Sequence, residues 1–162
     1  MLIRKAHFKD LPAINEIYNH AILNLTATFD EEIRKFEERQ EWFETHHDPR
    51  YPLVVAEDNG EVVGWGSISP FRPRAAYRFS GETSIYVRND KYGHGIGTLL
   101  LQELIILAKE NKLHALLGII VDDNQSSIKL HCKFGFQKVG YLKEVGFKFG
   151  RWLDIIIMQK ML

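Results

Sequence analysis

Two hydrophobic rhythms run along the chain, one with the period of a strand and one with the period of a helix. Leu11, Ile14, Ile17, Tyr18 and Ile22 recur at helical spacing after Asp10-Leu-Pro-Ala, where Asp10 suits a cap and Pro12 a first turn. Ile33, Phe36 and Trp42 punctuate the charged stretch from Glu31 to Phe43 and predict a second, surface helix. Between them, Asn24-Leu-Thr-Ala-Thr-Phe-Asp30 reads as a loop. Leu2 to Arg4 predicts a short first strand. Leu53 to Glu57 and Glu61 to Ser69 flank Asp58-Asn-Gly60, a tight-turn signal, and predict a hairpin. Tyr77 to Val87 predicts a long strand. Ile96, Leu99, Leu100 and Leu104 open a helix that runs to about Asn111. Ala115 to Val121 is nearly all apolar, as a strand buried on both faces would be. Ser126 to Phe134 predicts a helix stopped by Gly135, and Phe136 to Val145 and Leu153 to Met158 predict two closing strands.

These elements amount to about seven strands and about four helices. Their order predicts an α/β (α+β) fold with a mixed, mainly antiparallel central sheet. No repeat or linker divides residues 1–162, so a single domain is expected.

Composition narrows the function classes. Lys plus Arg and Asp plus Glu number 21 each, so the formal charge is zero. That argues against a nucleic-acid footprint, which needs a basic excess, and against electrostatic attachment to anionic lipid. Cys132 is the single cysteine and has no disulfide partner in the chain, and the N-terminus lacks a signal-peptide apolar stretch. The expectation is a reducing cytoplasm. No apolar run approaches the roughly 18 residues of a membrane span. His46, His47 and Asp48 are adjacent rather than at ligand spacing, so no metal is expected.

The chemistry gathers between Glu82 and Leu101. A β-rich run ends at Val87, Gly93, Gly95 and Gly97 follow in a Gly-x-Gly-x-Gly turn, and a helix begins at once. Free amides at a helix N-terminus, with glycines that let a ligand approach, make an anion site. Thr98 stands where the dinucleotide fingerprint needs glycine, and the Gly-Lys-Ser/Thr of a P-loop is absent. On the residues alone, a plain tight connection is an equal reading.

Tyr92-Gly-His-Gly-Ile-Gly97, after a strand ending in Tyr-Val, resembles the acyl-CoA-binding motif of the GNAT N-acetyltransferases. That motif usually opens with Gln or Arg, where this chain has Tyr92. The resemblance implies that acetyl-CoA is held by Ile85, Tyr86 and Val87 and by the turn Gly93, His94, Gly95, Ile96, Gly97 and Thr98. A second segment, Asn124-Gln-Ser-Ser-Ile-Lys-Leu-His-Cys-Lys-Phe-Gly-Phe136, is similar to the family's later motif about 30 residues on. It implies that Asn124, with Ser127 one turn later, bonds the pantetheine arm. Asn124 is also a good helix cap, and the two readings are compatible.

Arg72 to Val87 resembles the phosphinothricin and methionine sulfoximine acetyltransferase branch, whose catalytic Glu falls at Glu82; Gly81 replaces the usual Val. Strand alternation puts Glu82, Ser84 and Tyr86 on one face, and aromatic neighbours can raise a carboxyl pKa. His131 stands where many family members carry the residue that protonates the leaving thiolate. The resemblance makes Arg72 and Arg74 substrate-binding candidates, with Tyr77 among them and Phe29 a wall for the acceptor side chain. Guanidinium groups suit an α-carboxylate. The implied activity is acetyl transfer to the α-amine of a small amino acid or analogue, by a homodimer, with Trp152 for packing or dimer contact. The alternatives are a polyamine or protein N-terminus as acceptor, or a CoA-binding sensor without catalysis.

Overall fold

The computed structural model describes residues 1–162. Its seven strands are β1 (Leu2–Lys5), β2 (Leu53–Asp58), β3 (Glu61–Pro70), β4 (Ser80–Val87), β5 (Ala115–Val121), β6 (Gln137–Lys148) and β7 (Arg151–Met161). Its four helices are α1 (Leu11–Asn24), α2 (Phe36–Glu44), α3 (Ile96–Glu110) and α4 (Gln125–Lys133). One sheet runs in the order β1-β2-β3-β4-β5-β7-β6. Every neighbouring pair is antiparallel except β4 and β5. No helix is long and apolar enough to cross a membrane.

The sheet is covered on both faces, and β2 shows why. Val54 and Ala56 face α3 and its Leu100, Leu101 and Leu104, whereas Leu53 and Val55 face α1 and its Leu11, Ile14 and Ile17. All seven of these positions on α1 and β2 except Ile17 are at most 3% exposed. Each fully buried Leu or Ile contributes roughly 1.5–3 kcal/mol. The Asn59-Gly60 turn between β2 and β3 holds both residues at positive φ, the geometry a two-residue hairpin needs. Gly81 does not loosen β4. A Cβ there would overlap Ile68 of β3, so glycine lets the two strands pack closely.

Four local expectations are corrected. Asp10 does not cap α1. Its carboxylate receives Arg4 at 2.7 Å and the His7 amide at 2.8 Å, tying β1 to the helix entrance. The second helix starts at Phe36 rather than Glu31. Asn15 and Asn19 of α1 donate to the Arg34 carbonyl, and the Arg34 amide donates back to Asn19, which holds this stretch extended. Glu38 then accepts from the Lys35 amide at 2.8 Å and caps the new helix. The long strand starts at Ser80, because Ala75–Tyr77 form a 3-10 turn. The closing strands are longer than expected and meet at Phe149-Gly150.

Candidate active site

The parallel pair sets the site. β4 and β5 are paired only from Ser80–Ala115 to Glu82–Leu117 and then part. Beyond Glu82, the β5-facing edge of β4 has no strand partner, and a cavity of about 700 Å³ opens beside it. Ile85, Tyr86 and Val87 line one side, and Asn124, Ser127 and Leu130 line the other. Gly93, Gly95, Ile96, Gly97 and Thr98 close one end.

That end is built from main chain. Gly93 and Gly95 sit at φ 81° and 77°, and a Cβ on either would point into open space. Side chains other than glycine adopt this backbone only with strain. The amides of residues 93 to 97 donate to no group of the protein, and Thr98 and Leu99 return to Gly95 as the helix begins. Consecutive free amides at a helix N-terminus fit a pyrophosphate, and the open β4 edge fits an amide-bearing arm. The residues present therefore suit acetyl-CoA. Asn124 caps α4 through Oδ1, which accepts from the Ser127 amide at 3.2 Å; its Nδ2 donates to no protein group. His94 does not line the cavity, and its Nδ1 lies 3.0 Å from the Tyr92 carbonyl oxygen. Tyr92 does line it, and burial raises its phenol pKa.

Several lining residues escape the sequence reading. Ile17, Ala21, Leu25, Thr26 and Ala27 bring the end of α1 and its loop over the cavity. The loop is held by Lys148, whose buried ammonium donates to the Leu25 carbonyl at 2.7 Å and the Thr28 carbonyl at 2.8 Å. No periodic signal marks Lys148 for this role.

Glu82 is half-buried, and its carboxylate has no hydrogen bond or ion pair in the protein. Burial pushes its pKa up, and the Arg72 guanidinium offsets this in part. Ser69 lies opposite it on β3, and Ser84 two residues along β4. Those two serines line a second cavity of about 310 Å³ on the Glu82 side, walled by Tyr18, Trp42, Trp65 and Tyr86. Tyr86 borders both cavities. Arg72, Arg74 and Tyr77 are exposed in the connection between β3 and β4 and line neither cavity. Arg72 stacks on Phe71 at 4.9 Å, Tyr77 meets the same ring edge-on at 5.6 Å, and neither arginine has a carboxylate partner. Phe29 lines neither cavity; its ring lies against Gly146 of β6.

His131 is not where a cavity-lining acid would stand. It is 4% exposed, packed on Gly118 of β5 and on Phe136, and its partner on β4 is Thr83, which points to the face opposite Glu82. Nδ1 lies 2.8 Å from the Ser127 carbonyl oxygen, which can only accept, so the ring hydrogen sits on Nδ1. Nε2 lies 3.3 Å from Thr83 Oγ1. Burial lowers the pKa and keeps the ring neutral. His46 is buried against Trp42, His47 is exposed beside Glu44, and no group of three His, Cys, Asp or Glu is placed to hold a metal.

Residues 3–157 match the family model of the acetyltransferase (GNAT) domain. The L-methionine sulfoximine/L-methionine sulfone acetyltransferase of Pseudomonas aeruginosa is 44% identical over 97% of this chain and 92% of that protein. A GNAT superfamily phosphinothricin acetyltransferase from Sinorhizobium meliloti, solved in complex with AcCoA, superposes with a TM-score of 0.97 at 41% identity, over 99% of this chain and 88% of that one. A ribosomal-protein-alanine N-acetyltransferase from Brucella melitensis superposes with a TM-score of 0.97 at 47% identity over the whole of both chains. A parted β4–β5 pair, a run of free amides at the head of α3 and these likenesses lead to one family: the chain belongs to the GNAT acetyltransferases and is an acetyl-CoA-dependent N-acetyltransferase.

Proposed function

We propose that residues 1–162 act as one GNAT domain that acetylates the α-amine of a small amino acid or analogue, of the methionine sulfoximine, methionine sulfone and phosphinothricin type. The observation that carries this is Glu82. It is a half-buried carboxylate without a protein partner, on the sheet face where its neighbours Ser69 and Ser84 line the second cavity, with Arg72, which has no carboxylate partner, near enough to oppose the rise of its pKa.

Acetyl-CoA supplies an acetyl group already activated on sulfur. Arg72 and Arg74 hold the acceptor's α-carboxylate. Glu82 takes a proton from the acceptor ammonium, directly or through water, because only the free amine has a lone pair for the carbonyl carbon. Transfer is direct, within a ternary complex; the new C–N bond forms as the C–S bond breaks, and sulfur keeps the electron pair. The open edge of β4 past Glu82, rather than the turn that takes the pyrophosphate, faces the thioester and favours negative charge developing on its carbonyl oxygen. His131, neutral and enclosed, serves as a positioning residue between Thr83 and α4 rather than as the acid the family resemblance implied.

Two wider expectations belong to the same proposal. The chain works in the cytoplasm, consistent with its single cysteine, exposed on α4. It also works as a homodimer. Tyr141, Leu142, Val145, Phe147, Phe149 and Trp152 are large and exposed on edge strand β6 and its turn into β7, and such a patch suits a second copy. Sedimentation equilibrium of the wild type and of Trp152→Asp checks this, with a dimer that the variant shifts to monomer as the expected result.

The rival acceptor is a protein N-terminus, favoured by the likeness to the Brucella structure. Thiol release from acetyl-CoA decides between them. The panel is methionine sulfone, methionine sulfoximine, phosphinothricin, ordinary amino acids, spermidine and an alanine-starting peptide. Turnover confined to the first three is expected. Turnover with the peptide or spermidine alone overturns the acceptor assignment, and acetyl-CoA binding without any thiol release favours a sensor.

A further inference from the structure

Lys148 of β6 carries a charge that no acid of the protein answers. It is 2% exposed, it forms no ion pair, and its two hydrogen bonds go to main-chain carbonyls, Leu25 at 2.7 Å and Thr28 at 2.8 Å. The Phe149 ring lies 4.8 Å from the ammonium. Burying a charge without a countercharge is costly, and an apolar side chain would fill the same place at less cost. What the ammonium achieves is to fix the direction of two peptide groups. The Tyr86 hydroxyl fixes a third, donating to the Ala27 carbonyl at 3.4 Å. In a planar trans peptide the N–H points opposite to the C=O, and every peptide of the chain is trans. The amides of Thr26, Thr28 and Phe29 are therefore turned away from these holds, and none of them donates to a group of the protein.

Of these three residues, Thr26 belongs to the wall of the cofactor cavity, between Leu25 and Ala27, whereas Lys148 lies outside that wall. The carbonyl of the 25–26 peptide thus leaves the cavity, and its N–H is turned the other way. A second hold fixes the same residue. The Thr26 hydroxyl donates to Asp123 Oδ1 at 3.2 Å, on the connection between β5 and α4, and Asp123 receives Arg151 at 2.6 Å. Arg151 pairs with Lys148 across the turn from β6 to β7, so the end of one hairpin braces both loops. We propose that Lys148 is a positioning residue for acetyl-CoA: by holding the Leu25 carbonyl it aims the Thr26 amide at an amide carbonyl oxygen of the pantetheine arm. The arm then lies between that N–H and Asn124, which lines the same cavity with its Nδ2 unused by the protein. The role concerns the acetyl donor and holds whichever amine accepts.

The test measures Kd by calorimetry for CoA and for 3′-phospho-ADP, which keeps the nucleotide and pyrophosphate of CoA and lacks the arm. In Lys148→Met, CoA is expected to bind about tenfold more weakly, on the order of one lost hydrogen bond, and 3′-phospho-ADP within about twofold of the wild type. Equal losses for both ligands in a folded variant, or no loss for either, leave Lys148 a structural residue and overturn the proposal. Thr26→Pro against Thr26→Ala reads the amide even if Lys148→Met fails to fold. Both remove the hydroxyl, and only proline removes the N–H. Leu25, at φ −127° and ψ 154°, already has the extended backbone that precedes a proline. The proline variant is expected to bind CoA about tenfold more weakly than the alanine variant, with 3′-phospho-ADP alike in both. Equal CoA affinities in the two variants overturn the assignment of the Thr26 amide, and the role of Lys148 with it.

Discussion

The two cavities that meet at Tyr86 are made in opposite ways. The first takes its working end from main chain: free amides from residue 93 to 97, a strand edge without a partner, and glycines at positive φ. The second is side chain: rings and hydroxyls from α1, α2, β3 and β4, which lie far apart in sequence. A main-chain site depends on local backbone shape and binds what every member of a family binds. A side-chain site can be rebuilt residue by residue. The difference makes the first cavity sensitive to backbone strain and the second to single side-chain changes.

Four experiments break or sharpen this division. Glu82→Gln carries the largest effect. It is expected to lower kcat by two or more orders of magnitude, the usual range for a lost general base, with the KM for acetyl-CoA nearly unchanged. Because burial raises the Glu82 pKa, the wild-type rate climbs with pH along a limb above the usual carboxylate range, and the variant loses that limb. A variant with full turnover removes Glu82 from the chemistry. Gly95→Val comes next. A β-branched residue at φ 77° is strained by about 1–3 kcal/mol, so the KM for acetyl-CoA should rise on the order of tenfold to a hundredfold while the acceptor KM holds. Matched rises in both constants would mean that the cavities are not independent.

The smaller effects concern stability. Asn124→Ala removes the cap that receives the Ser127 amide, at a cost of about 1 kcal/mol or about 2–4 °C in Tm, read by thermal denaturation. A larger fall in acetyl-CoA affinity than in Tm would show that the amide also meets the ligand. Last, His46 and His131 are both buried with pKa values lowered by burial. The unfolded chain then binds more protons than the folded one as pH falls through about 6.5, so stability is full above that window and drops below it. Denaturant unfolding at pH 7.5 and 5.5 reads the sign, and His131→Asn should flatten part of the slope.

The same division explains what the sequence discloses. Gly93-x-Gly95-x-Gly97 and Asn124 are short patterns whose geometry follows from local rules, and the structure lines one cavity with them. The strands and helices that place them follow equally from periodicity, Ala115–Val121 to the residue. Element starts were less legible where tertiary partners decide them: Asn19 of α1 holds Arg34 extended and so delays α2. Trp65 reads as an ordinary strand residue, because nothing local says that its buried indole Nε1 has no partner. Lys148, 120 residues from Thr28, is silent for the same reason. His131 shows the reverse limit: the motif locates the residue, but only packing reveals that its ring is enclosed.

The parting of β4 and β5 gives the sheet an edge on its inside. Exposed edges invite strands from other chains and seed aggregation, and proteins blunt them with charge, proline or a bulge. Here the edge bears Ile85 and Val87 and carries none of those guards. Protection comes from the roof instead: Gly97 of α3 lies so close to Leu130 of α4 that a methyl group there would stand 3.3 Å from it. A polypeptide strand arrives with side chains on both faces and needs more room than that. A slender chain bearing amides but no branches does not, so the helices that shape the cavity also spare the protein from self-association along its most vulnerable line.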